Sequence, residues 1–229
     1  MKNQKLTDQE IISSNLYYVR KRDGLDWNFE ERLFNEYKSL GGVIRKRIEQ
    51  NGGEEQFMFF WKTESPFSQW HQSRFEGSLF SFVNKALLPD EFSQTYEFSS
   101  AEQFMMFNKA LLFLDRKVAA EIMKTNDPRQ QKELGRQVKN FDPEIWEYAR
   151  SEIVFAGNKM KFNQNEDLKQ ALLATVGTTL VEASPYDQIW GVGLSANEET
   201  IQSRKSWNGL NLLGEILTEI REEMIRKER

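Results

Sequence analysis

Two Asp-Pro pairs constrain the fold more than any other feature of the chain. Asp127-Pro128 and Asp142-Pro143 each set a proline, which fits the first helical position, behind an aspartate able to cap the first-turn amides. They predict helices over 128–134 and 143–163. Helical patterning also covers 99–114, 116–125 and 166–175. A final amphipathic helix is expected over 207–226, with Leu212, Leu213, Ile216, Leu217 and Ile220 on its apolar side. Strand signals are few and short. They are the aromatic run Phe57-Met58-Phe59-Phe60-Trp61, then Tyr96-Glu97-Phe98, then Leu180-Val181-Glu182-Ala183 behind Gly177. The expected class is mainly α with a few short β-strands, an α+β fold.

The first 50 residues differ in texture. They are polar and charge-rich, with a helical pattern over 30–40 that puts Leu33, Phe34 and Tyr37 on one face. The short basic tract Arg45-Lys46-Arg47 reads as a solvated face. Asn51-Gly52-Gly53 is a turn or linker signal. The expected organisation is a partly helical N-terminal extension over 1–55 and one domain over 56–229.

Charge and composition narrow the chemistry. The net charge is −4 and the pI about 5.4, which disfavours a generally basic nucleic-acid binder but permits a local pocket for one or two phosphates. There is no Cys, and His71 is the single His. Disulfides, thiolate metal sites and sites built on two histidines are thereby removed, although magnesium held by carboxylates stays open. Neither a metal nor a cofactor is expected. Residues 1–10 lack the apolar stretch of a signal peptide, and no run of about 18 apolar residues exists. A cytoplasmic protein without membrane association is expected.

Several residues could carry chemistry. Ser99 and Glu102 have capping-box spacing, the bland reading of that carboxylate. Yet Glu102 and Lys109 are seven apart, on one helix face, with Met105 and Met106 between them. An acid and an amine framing an apolar stripe could equally line a pocket. Downstream, Asp187, Trp190 and Gly191 share an irregular loop, either a ligand-approach loop or a surface loop anchored by its Trp. Arg136 could grip a phosphate with its planar fork, and Lys161 could add a point charge. Phe67 and Trp70, in the loop after Pro66, could stack on a base or belong to the core.

These pieces, in this order, resemble the NADAR family, named for links to NAD and ADP-ribose and also called YbiA-like. Six stretches carry the resemblance: Pro66-Phe67-Ser68-Gln69-Trp70; Ser100-Ala101-Glu102-Gln103-Phe104-Met105-Met106 with Lys109; Leu134-Gly135-Arg136; Asn158-Lys159-Met160-Lys161-Phe162; Leu180-Val181-Glu182 with Asp187-Gln188-Ile189-Trp190-Gly191; and Asn211-Leu212-Leu213-Gly214. The loop reads Phe-Ser-Gln-Trp where other members have Phe-Ser-Asn-Phe. The helix reads Glu-Gln-Phe-Met-Met where others have Glu-His-Tyr-Phe-Gln. Both differences bear on the substrate more than on the reaction.

The resemblance implies a mostly helical single domain and N-glycosidase activity. One branch of the family acts on phosphoribosylamino-pyrimidine intermediates of riboflavin biosynthesis. Another removes ADP-ribose from guanine, so the partner is a nucleotide-like small molecule or ADP-ribosylated DNA. A module that binds ADP-ribose or NAD without cleaving it is the alternative. Cleaving a C1′–N bond needs a carboxylate to stabilise oxocarbenium character and an acid to protonate the departing base. Glu102 and Asp187 are the carboxylates assigned to that work. Lys109 either holds ribose or phosphate, or attacks the opened sugar to form a Schiff base. Trp70 and Trp190 are assigned as stacking walls beside Phe67, Ser68 and Gly191, with Arg136 and Lys161 as phosphate contacts.

Overall fold

The structure is a computed structural model that describes residues 48–78 and 94–227. The helical pattern expected over 30–40 and the basic tract at 45–47 lie outside the described residues. From Gln56 onward the described residues form four strands and six α-helices, behind a helical end at 48–50. The strands are β1 (Gln56–Phe60), β2 (Phe75–Ser78), β3 (Thr95–Phe98) and β4 (Thr178–Glu182). The helices are α1 (Ala101–Leu112), α2 (Arg116–Met123), α3 (Pro128–Arg136), α4 (Pro143–Gln164), α5 (Glu166–Leu173) and α6 (Leu212–Lys227). The α+β class follows, with helix dominant. No described helix is long and apolar enough to cross a membrane.

The chain divides into two compact units. One takes in Ser73–Met160; the other takes in Lys161–Arg229 and the segment ending at Gln72. In the first, β2 and β3 pair antiparallel, Phe75 opposite Phe98. Helix α1 supplies the centre of this unit. Every one of its residues except Lys109 is buried, as expected of a helix surrounded on all sides. Phe98 meets Phe104 at 5.0 Å and Phe107 at 5.6 Å between ring centroids, which fixes α1 against the hairpin. Gly157 of α4 permits close approach to α1, because a Cβ there would lie 2.6 Å from a ring carbon of Phe104. Helices α2 and α3 start as the sequence demands: Asp115 accepts a hydrogen bond from the Val118 amide, and Asp127 from the Arg129 amide.

In the second unit β1 and β4 pair parallel, from Gln56 opposite Thr178 to Phe60 opposite Glu182. Parallel pairing requires a long crossover, and here helices α1 to α5 lie in the intervening chain. Val181, Ala183, Val192, Leu194 and Ile201 form a buried cluster with Phe57, Phe59 and Trp207 packed on it. The last helix begins later than its apolar pattern suggests. Asn211 has φ of 55°, which breaks the helix ahead of it. Its side chain acts as an extra strand rung: it accepts from the Glu182 amide and donates to the Leu180 carbonyl, each at 3.0 Å. Gly214 then lets α6 seat its backbone against β4, since a Cβ there would collide with the Leu180 carbonyl oxygen. The Asn-Leu-Leu-Gly motif is therefore a docking device for α6. Arg204 pairs with Glu55 and Glu215, each at 2.7 Å, and Glu55 also takes the Thr179 hydroxyl. Burial opposes the charge on Arg204, but those two carboxylates outweigh it and raise its pKa.

Candidate active site

The local structure at the start of α1 decides what Glu102 can do. The helix cap sits one residue further on than the Ser99–Glu102 spacing suggests. Ser100 is the N-cap, and its hydroxyl oxygen accepts from the Gln103 amide at 3.1 Å. The Gln103 side-chain oxygen Oε1 accepts from the amide and hydroxyl of Ser99, the residue before the cap, at 2.7 and 3.0 Å. A neutral amide suits this post, because its nitrogen also donates to the carbonyls of Ile122 and Thr125. Glu102 is thus relieved of capping. It lies in the first turn of α1 with only 2% of its surface exposed.

Lys109 stands two turns later, about 10 Å along the helix axis. It is half-buried, and its ammonium donates to the Gly135 carbonyl at 2.8 Å. The Nζ lies 4.5 Å from the Phe141 ring centroid and 5.3 Å from that of Trp146. Burial holds its pKa below the ordinary lysine value; Glu102 opposes that shift and Arg136 adds to it. The Leu-Gly-Arg motif acquires a structural reason here. Gly135 leaves room for Met106 of α1, where any Cβ would collide with the thioether sulfur. Its carbonyl anchors Lys109, and exposed Arg136 follows at the end of α3. Glu102, Lys109 and Arg136 are therefore brought into one electrostatic neighbourhood in the first unit. Phe141 and Trp146, beside Lys109, escaped the sequence reading. Phe141 precedes a helix start and Trp146 lies within a helical pattern, so no local signal separates either from core.

The other candidates belong to the second unit. The loop after Pro66 is a chain of turns: the Ser65 carbonyl accepts from the Ser68 amide, and the Ser68 carbonyl from the His71 amide. Lys161 has no exposed surface, and its ammonium donates to the carbonyls of Pro66 at 2.8 Å and Ser68 at 2.9 Å. Desolvation pushes its pKa down to about 7. Lys161 thus holds this loop in shape. Phe67 is buried edge-on against Phe60, with centroids 5.7 Å apart. The Ser68 hydroxyl oxygen accepts from the Trp70 amide. Trp70 itself is only partly buried. The imidazole of His71, held against the Thr63 carbonyl, has its pKa lowered by burial and by Lys161.

The second loop is equally self-contained. One carboxylate oxygen of Asp187 accepts from the amides of Ile189 and Trp190, at 2.9 and 2.8 Å. Gly191 packs inside the loop, where a Cβ would lie 2.8 Å from the Glu182 carbonyl oxygen. The carbonyls of Ile189 and Trp190 accept from the Leu212 and Leu213 amides, which caps α6. Trp190 keeps partial exposure. Among the described residues no three His, Asp or Glu side chains converge as a metal-binding set.

These features define a mainly helical α+β domain with a buried carboxylate and a desolvated lysine on one face of its central helix. The chain belongs to the NADAR family: the NADAR domain model matches residues 59–225. N-glycosidase R617 of Acanthamoeba polyphaga mimivirus is 45% identical over 157 residues, covering 69% of this chain and 86% of that one. Chloroplastic riboflavin biosynthesis protein PYRR of Arabidopsis thaliana is 34% identical over 109 residues, covering 46% of this chain and 16% of that larger protein. The NMR structure of E. coli YbiA aligns with a TM-score of 0.56 at 22% identity, covering 76% and 88% of the two chains, which bears on the fold.

Proposed function

We propose that this chain is an N-glycosidase that hydrolyses the C1′–N bond of a phosphoribosylated or ADP-ribosylated base. Membership of a family that includes a 45%-identical N-glycosidase supports the reaction type. The observation that carries it is the arrangement in α1: Glu102 is buried and relieved of capping, and Lys109 shares its face in a setting that disfavours the charged amine.

The chemistry follows from those groups. As the C1′–N bond breaks, its electron pair goes to the base nitrogen, which gains a proton. Glu102 is assigned to stabilising the positive charge that grows at C1′ and to the proton transfers with base or water. In direct hydrolysis a water oxygen bonds to C1′ and loses a proton. In the covalent route the neutral amine of Lys109 bonds to C1′ as the base departs with the electron pair of the C1′–N bond and takes up a proton; the C1′–O4′ bond then opens, O4′ gaining a proton as the nitrogen loses one, to leave an imine. Water hydrolyses that imine to the free sugar and returns the amine. A lysine with a depressed pKa suits that route, because more of it is neutral at working pH. Arg136, exposed beside Gly135, is assigned to substrate phosphate. Within the second unit, Lys161 holds the loop that carries Trp70, and Asp187 shapes the loop that carries Trp190.

The substrate branch is read by mass spectrometry of base release. 5-Amino-6-(5-phosphoribosylamino)uracil and an oligonucleotide bearing ADP-ribosylated guanine are compared, with the Glu102→Gln chain as control. Turnover of one substrate, lost in the control, supports the assignment and selects the branch. Silence on both while ADP-ribose still binds would replace it with a non-catalytic binding module. A cytoplasmic setting is part of the same proposal.

A further inference from the structure

We infer that Phe141 and Trp146 form an aromatic cage that positions Lys109 and sets the ionisation of its amine, a role that rests on the proposed N-glycosidase chemistry. Phe141 lies just ahead of α4 and Trp146 in its first turns, so one segment delivers both rings to the same ammonium. At 4.5 and 5.3 Å the Nζ lies within the roughly 6 Å range in which a ring's quadrupole attracts a cation. The Gly135 carbonyl, at 2.8 Å, fixes the direction from which the amine meets the rings. Phe113 meets Phe141 edge-on, with centroids 5.3 Å apart, and so supports the ring. Phe141 nonetheless keeps 43% of its surface exposed, so the cage is open on one side. Among the described residues the charged groups acting on Lys109 are Glu102, on its own helix, and Arg136, at the end of α3.

The cage works in two directions. Its apolar bulk excludes water and favours the neutral amine, whereas its ring faces favour the ammonium. A lysine that must lose its proton to attack, and then regain one, gains from both. Replacing Phe141 by an aliphatic side chain keeps much of the exclusion and removes the ring attraction, so Lys109 should lose its proton more readily. Tryptophan at the same place strengthens the attraction and should have the opposite effect.

The test uses the full chain with Phe141→Leu and Phe141→Trp. Ionisation of Lys109 is read first without substrate, from the pH dependence of its acetylation by acetic anhydride, quantified by mass spectrometry. The midpoint should fall by roughly half a pH unit to one unit in Phe141→Leu and rise in Phe141→Trp. The acid limb of kcat/KM for base release should move in the same directions. A side chain that only supports the fold would lower the profile without displacing it. Unchanged acetylation midpoints in both variants would overturn the cage. If Phe141→Leu does not fold, the Phe141→Trp midpoint decides alone, a rise supporting the cage and no rise overturning it. Shifted midpoints with no base release in the parent chain would sink the N-glycosidase reading and leave the cage standing.

Discussion

Lys161→Met tests how the loop carrying Trp70 is held. The wild-type ammonium has no exposed surface and donates to two carbonyls, those of Pro66 and Ser68. Its pKa of about 7, against 10.5 for an ordinary lysine, corresponds to ~5 kcal/mol disfavouring the charged form. Methionine fills similar volume without charge, but leaves two buried carbonyls unpaired at ~1–3 kcal/mol each. At or below pH 7 these effects nearly cancel, and the variant should be about as stable as wild type. The sign with pH is fixed by linkage. Between pH 7 and 10.5 the unfolded chain holds the Lys161 proton and the folded chain has released it, so wild-type stability rises with pH, by at most ~1.4 kcal/mol per pH unit. The variant lacks that gain and should trail wild type by about 2 kcal/mol more at pH 9 than at pH 7. Urea unfolding followed by Trp fluorescence at both pH values measures the difference, and other titrating groups cancel in the comparison. An equal gap at pH 7 and pH 9 would refute the buried, depressed lysine.

Other substitutions probe the remaining links. Glu102→Gln keeps the side-chain shape and, with capping assigned to Ser100 and Gln103, should fold normally; the base-release rate should fall ~10²–10⁴-fold. Gly135→Ala and Gly214→Ala should differ in severity, read by thermal melts. The new methyl meets the movable Met106 thioether in the first and the Leu180 backbone oxygen in the second. The first should cost ~1–2 kcal/mol after its gain in helix propensity, the second ~3 kcal/mol or more. Asn211→Ala leaves the Glu182 amide and Leu180 carbonyl without their side-chain partner and should lower stability by ~2–4 kcal/mol in urea titration.

Helix positions were largely legible because their signals are local. Asp127 and Asp142 both cap as expected, and α3 and α4 begin at Pro128 and Pro143. What failed to show was set by partners far along the chain. Strand β2 has only four residues, Phe-Glu-Gly-Ser, and is defined by its pairing with β3 rather than by any apolar run. Helix α6 begins at Leu212 because Asn211 is bonded to β4, some thirty residues earlier. The serine-rich entry to α1 contains two overlapping capping boxes, and local spacing cannot rank them. The choice falls to Gln103 because its amide nitrogen reaches the carbonyls of Ile122 and Thr125.

The same limit governs the site. Lys109 and Lys161 are indistinguishable by type and by their helical setting, yet the structure places them in opposite surroundings. Lys161 is sealed and its ammonium committed to two carbonyls, so its side chain offers no exposed surface to a ligand. Lys109 alone among the twelve residues of α1 is not buried, and its charged neighbours are Glu102 and Arg136. An amine acts on a substrate only where partial desolvation weakens its proton while a path to it stays open. Full burial supplies the first condition and destroys the second, and full exposure does the reverse. The half-buried position between Gly135 and the two rings satisfies both, which is why the covalent route is argued from Lys109 even though burial pushes the pKa of Lys161 down to about 7.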